Sequence, residues 1–263
     1  MSVIYEPKGK AREYSPLACN LYLSCTHMCK YCYAPHALQR RADVYFCKPE
    51  PRRDILSKLE SELKNQRFYK QIMLSFIGDV YCETADDNRT TREALKRFLE
   101  YGAPVAILTK GGERCLKDMD LFKQFGRKIK VGATLTFLDV DKSLDWESGA
   151  ATPLNRLMAL KALKNNGITT FASFEPVLEP EESLMLLEAS LRADCVDIYK
   201  IGKLNNYKGL DKRIDWADFL QKCLDFVHLT GRALYVKEDL RKAAPDIVLR
   251  PEEMDADLHT VKA

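Results

Sequence analysis

The chemistry of this chain concentrates in Cys25-Thr26-His27-Met28-Cys29-Lys30-Tyr31-Cys32. The thiols stand at spacing C-x3-C-x2-C, with an aromatic residue directly before the third. Three thiolates on one short loop can take three corners of a cubane iron–sulfur cluster. One iron is then open to a small molecule that chelates through an amine and a carboxylate. Two other readings suit the same residue types. Cys19, His27 or His36 could complete a structural zinc site. Cys19 could instead be the fourth ligand of a cluster that only carries electrons. Zinc sites usually come as two C-x2-C pairs separated by a longer loop, a pattern this sequence lacks.

The chain has 263 residues, enough for one large α/β domain with a sizeable core. A net charge of +3 neither demands nor excludes an anionic partner. No apolar run approaches the ~20 residues of a membrane-crossing helix. The first ten residues carry charges and no apolar stretch, unlike a signal peptide. Nine cysteines without a secretion signal point to free thiols and metal ligands in a reducing compartment. A cytoplasmic protein without membrane contact is the expectation.

Something must hold the cysteine loop, and the flanking patterns say what. Residues 1–16 are polar, carry Pro7, Gly9 and Pro16, and read as an irregular arm. A strand over 18–23 runs into the loop, with Cys19 as a buried small apolar residue. Residues 34–44 are rich in helix formers. Ile55, Leu56, Leu59 and Leu63 recur at helical spacing, which predicts a helix over 54–65. Short apolar runs predict strands over 71–77, 104–109, 130–135, 168–174 and 196–201, with a last short one over 233–236. Helices are predicted between them: one carrying Ala94, Leu95, Phe98 and Leu99, then 116–125, a third opened by Thr152-Pro153, then 180–191 and 216–229. Strict alternation predicts a parallel sheet with helices outside. Six units fall short of the eight that close a TIM barrel. The expected fold is therefore an α/β open, partial (β/α)6 TIM-type barrel over 17–236, followed by an extension over 237–263.

In such barrels chemistry sits at the carboxyl ends of the strands. Gly78-Asp79 follows the second strand, with Cys82 just beyond. Gly78 permits close backbone approach, and Asp79 could accept from an ammonium group. Lys110 ends the third strand and could pair with a carboxylate. Thr134 and Thr136 put two hydroxyls on one face of the fourth strand. Arg156 lies early in the next helix, where the dipole disfavours a cation, so it needs a partner such as Glu147 or a ligand carboxylate. Polar loops follow at Glu175 and at Lys203-Leu204-Asn205-Asn206, suited to adenine or substrate.

These pieces resemble the radical S-adenosylmethionine (SAM) superfamily, in particular its spore photoproduct lyase and DNA repair photolyase-like branch. The resemblance rests on residues 25–34, 78–83, 101–110, 133–136 and 155–163, and covers about residues 17–205. It implies a partial barrel of the radical SAM kind. It also implies a [4Fe-4S] cluster on Cys25, Cys29 and Cys32, with SAM on the open iron. An electron from the cluster would split SAM into methionine and a 5′-deoxyadenosyl radical, which would take hydrogen from a substrate in lyase-like chemistry. Tyr31, Gly78, Asp79, Lys110, Thr134, Thr136 and Arg156 would contact SAM. An external flavodoxin- or ferredoxin-like protein would supply the electron, and the resemblance allows a nucleic-acid substrate. One departure stands out. Spore photoproduct lyase carries a hydrogen-donating cysteine just upstream of the acidic residue, where this chain has Ser75-Phe76-Ile77-Gly78. Cys82, on the other side of Asp79, is the candidate left for a catalytic cysteine.

Overall fold

A computed structural model describes residues 2–204 and 213–263. The strands are β1 (Ile4–Tyr5), β2 (Leu17–Cys19), β3 (Ile72–Leu74), β4 (Val105–Thr109), β5 (Ile129–Thr134), β6 (Thr169–Phe174), β7 (Ile198–Ile201) and β8 (Ala233–Val236). The helices are α1 (Ala34–Ala37), α2 (Ala42–Tyr45), α3 (Ile55–Asn65), α4 (Arg89–Glu100), α5 (Met119–Phe125), α6 (Val140–Trp146), α7 (Pro153–Asn165), α8 (Pro180–Arg192), α9 (Trp216–Thr230) and α10 (Glu238–Ala243). They form one sheet whose spatial order is β1 to β8. β1 runs antiparallel to β2, and β2 to β8 are parallel throughout. With β1 and β8 at its two edges, the sheet is an open TIM-type barrel. No helix among the described residues is long and apolar enough to cross a membrane.

The structure corrects the expected elements in places. The arm contains β1, pinned by Glu62, whose carboxylate accepts from Val3 N at 2.5 Å, Ile4 N at 3.0 Å and Ser2 Oγ at 2.8 Å. A two-residue strand has no periodicity to read. The helix expected over 34–44 breaks into α1 and α2 around Gln39, which sits at φ 51°. The helix expected over 116–125 opens as a 3-10 turn over Gly112–Asp118. The strand expected over 71–77 ends at Leu74, which frees 75–79 to turn over the cavity.

Two apolar clusters pack the helices onto the outer face of the sheet. A smaller one, with Tyr14, Ala18, Met73, Ala106 and Phe171, fills the barrel interior. Gly132 on β5 is part of that fit, because a Cβ there would overlap the carbonyl oxygen and ring of Phe171. Gly132→Ala is expected to lose about 1–3 kcal/mol through forced shifts in a packed interior. Thermal unfolding of the two proteins checks this.

Residues between β1 and β2 cross the open side of the sheet. Tyr14 O accepts from Gln71 Nε2 at 2.9 Å. At the other edge, Glu13 Oε1 accepts from Tyr235 OH at 2.7 Å and Glu238 N at 2.8 Å. Arg12 pairs in bidentate fashion with Asp257, both bonds at 2.7 Å. The crossing walls off a cavity at the carboxyl ends of the strands.

Candidate active site

The cavity has a volume of about 450 Å³. Cys25, Cys29 and Cys32 line it, as do Tyr31, Gly78, Asp79, Lys110 and Thr134. The loop that carries the thiols follows β2 and is gripped from two sides. On one side is the turn after β3. Gly78 sits at φ 92°, and a Cβ on it would stand 2.5 Å from the Ser24 carbonyl oxygen. On the other side is the segment after α6. Trp146 O accepts from Lys30 N at 2.9 Å, and Gly149 N donates to His27 O at 3.0 Å. A Cβ on Gly149 would overlap the Thr26 carbonyl oxygen, so only glycine lets this backbone approach.

His27 joins the two grips. Its Nε2 lies 2.9 Å from Asp79 Oδ2 and its Nδ1 lies 3.1 Å from Gly149 O. Both ring nitrogens are engaged, so His27 does not complete a zinc site with the thiols. Cys19 is packed in the outer core with Ile4 and Leu21, and burial pushes its thiol up to about 12. His36 is exposed on α1. None of the three candidate fourth ligands faces the thiols as a ligand.

Asp79 corrects an expectation. Its carboxylate accepts from Tyr81 N at 2.8 Å, Lys110 N at 2.7 Å and Thr109 Oγ1 at 2.8 Å, besides His27. Burial disfavours its charge, but His27 and the two amide donors outweigh that and hold the carboxyl well below its usual range. With its lone pairs committed, Asp79 braces the loop and has little left for an ammonium group.

Arg156 and Thr136 also correct the expected lining, since neither reaches the cavity. Arg156 is fully buried. It donates Nη2 to Glu147 Oε2 at 2.5 Å, Nη1 to Thr134 O at 2.9 Å and Nε to Ala151 O at 2.8 Å. Thr136 Oγ1 donates to Glu147 Oε1 at 3.1 Å, and the Tyr31 hydroxyl donates to the same oxygen. Burial favours the neutral acid at Glu147, yet Arg156 and Lys110 hold it below the ordinary carboxyl range. Glu147 is thus the partner that Arg156 needed.

Lys110 is different. Its Nζ stands 5.4 Å from the centre of the Tyr31 ring, makes no ion pair or hydrogen bond among the described residues, and borders the cavity. Burial pushes Cys29 up to about 11, with Lys110 pulling toward the thiolate and Glu147 pushing against it. Cys82 does not face the cavity. It is fully buried behind the loop in a cluster with Cys25, Ala34 and Tyr45, where its proximity to Cys25 lowers the Cys82 thiol and raises that of Cys25.

Tyr14 and Lys237 were not read as site residues from the sequence, and both meet Glu175 in the lining. Tyr14 OH lies 2.6 Å from Ser173 Oγ and 2.7 Å from Glu175 Oε2, and Lys237 Nζ donates to the same Glu175 oxygen at 2.5 Å. Glu175 and Lys237 each follow a strand directly, which was a usable signal; Tyr14 comes from the arm and had none. Asn205 and Asn206 lie outside the described residues.

No family model matches the chain. It is 32% identical over 159 residues to an uncharacterized protein of Methanocaldococcus jannaschii, covering 60% of this chain and 59% of that one. It is 24% identical over 166 residues to an uncharacterized protein of Mycobacterium tuberculosis, covering 60% of this chain and 48% of that one. The matches thus span about half to three-fifths of these curated relatives. Among solved structures, Streptococcus suis SuiB bound to S-adenosylmethionine aligns at TM-score 0.61 and 14% identity, over 89% of this chain and 53% of that one. A spore photoproduct lyase with dinucleoside spore photoproduct aligns at TM-score 0.62 and 12% identity, over 88% and 78%. These neighbours are radical SAM enzymes, and this chain has their TIM-type fold.

The donor set fits a cluster better than a single ion. Of the candidate fourth ligands for zinc, His27 is held by Asp79 and Gly149, Cys19 lies in the outer core and His36 is exposed. Three thiols that border one cavity, with no fourth protein ligand beside them among the described residues, would suit three irons of a cubane whose fourth iron is open.

Proposed function

We propose that the chain is a radical SAM enzyme, with residues 17–236 as its catalytic unit and Cys25, Cys29 and Cys32 as the protein ligands of one [4Fe-4S] cluster. The observation that carries this reading is that those thiols and Lys110 line the same cavity. When bound, the cluster would supply an external donor's electron to SAM, releasing methionine and a 5′-deoxyadenosyl radical that takes hydrogen from substrate. The chain's own residues do the rest. The two grips fix the thiols, so electron transfer would occur in one geometry. Lys110 supplies the cation for the SAM carboxylate, a role Arg156 cannot share while Glu147 holds it. Tyr31, Gly78 and Thr134 border the SAM end. Tyr14, Glu175 and Lys237 form a second polar group in the lining, which we assign to the substrate.

The test is anaerobic incubation of reconstituted protein with dithionite and SAM. The expected product is 5′-deoxyadenosine, seen by chromatography. A loaded protein that binds SAM and yields none favours the electron carrier; a colourless, zinc-loaded protein favours the binding module. Lys110→Met is expected to weaken SAM binding roughly tenfold to a hundredfold, the worth of one charged hydrogen bond. Equilibrium titration with SAM measures it.

A further inference from the structure

Glu147 occupies an unusual position. It lies on the segment that grips the cysteine loop, between Trp146, which accepts from Lys30 N, and Gly149, which bonds His27 in both directions. Its carboxylate is buried and holds the hydroxyl of Tyr31, the residue between Cys29 and Cys32 on that loop. On its other oxygen it holds Arg156, itself buried. Lys110 stands over the face of the same tyrosine. Two cations, Lys110 and Arg156, and one anion, Glu147, therefore meet around Tyr31, with the ionised Asp79 a further negative charge next to Lys110.

We infer that Glu147 is a positioning residue that sets the charge felt by the cluster: it cancels Arg156, leaves Lys110 as the acting cation beside Tyr31, and fixes that ring. The inference rests on the proposed function. A buried ion pair contributes little net stability over an apolar pair of equal volume. Its field, however, acts strongly where water is excluded. Iron–sulfur potentials respond to net charge and to hydrogen bonds around the sulfurs. Arg156, uncancelled, would make the cluster easier to reduce; Glu147, uncancelled, would make it harder.

The measurement is the midpoint potential of the reconstituted cluster, followed by electron spin resonance in an anaerobic redox titration. Glu147→Gln is expected to raise the potential and Arg156→Gln to lower it. The double variant, which removes the pair as a unit, is expected to return near the parent value. Tyr31→Phe keeps every charge and should move the potential less than either single charge variant. A purely structural role predicts no opposite signs. Should a single charge variant fail to fold, the double variant and Lys110→Met carry the test, the first leaving the potential unchanged and the second lowering it. Loaded variants with equal potentials, or shifts of one sign for Glu147→Gln and Arg156→Gln, overturn the inference alone. A parent protein that takes up no iron overturns the proposed function and this inference with it.

Discussion

Cys29→Ser is expected to leave the reconstituted protein without the proposed cluster, whereas Cys19→Ala and Cys82→Ala are each expected to retain about four irons per chain. Cys25→Ser and Cys32→Ser behave like Cys29→Ser. Three ligands is the smallest set that holds a cubane with one open iron, so losing any one thiolate removes a corner that nothing nearby replaces. His27 is committed to Asp79 and Gly149, and Cys19 lies in a different apolar cluster. Cys82 is the demanding control, because it touches Cys25 and sits behind the loop. If Cys82→Ala loses iron as completely as Cys29→Ser, the three-ligand assignment is wrong. Iron analysis and the visible spectrum, measured on protein shown to be folded by circular dichroism, decide it.

Asp79→Ala is expected to destabilise the protein by roughly 3–5 kcal/mol, the cost of stripping a buried charge network of one partner. The variant leaves two backbone N–H groups, a threonine hydroxyl and His27 without their acceptor. The effect has a pH signature. The folded carboxyl lies well below its usual range, so its contribution is fully present above the unfolded value of about 3.9. It is lost as pH falls through the lower, folded value. The gap between parent and variant should therefore be constant from neutrality down to about pH 4 and shrink only below it. Urea unfolding at several pH values measures the gap; one that closes near neutrality would show that another group carries the network.

The architecture was legible because strands and helices long enough to carry a period alternate without interruption. β4, β5 and β6, and helices α7, α8 and α9, lie within two residues of their sequence-based spans. What stayed hidden had too few residues to show a period, as with β1 at two residues and α10 at six. That the thiols, Lys110 and Thr134 border one cavity was legible, because strand ends mark the mouth of a barrel. The roles of Asp79, Thr136 and Arg156 were not, because a polar side chain's partner is a tertiary fact. Spacing placed Asp79 at the cavity but said nothing of the donors that saturate it. Glu147 shows the gap most clearly: the sequence suggested it as a partner for Arg156, yet gave no sign that it also holds Tyr31.

Gly149 meets the thiol loop 122 residues down the chain from His27. At roughly 5–20 residues per second of synthesis, the loop waits on the order of ten seconds for that partner to emerge. During this interval the three thiols and a still uncommitted His27 are a ready trap for zinc, which binds such sets in unfolded chains. Assembly of the proposed cluster would then be a late event, timed by translation. Overproduction in zinc-rich medium should fill the site with the wrong metal before the clasp has formed.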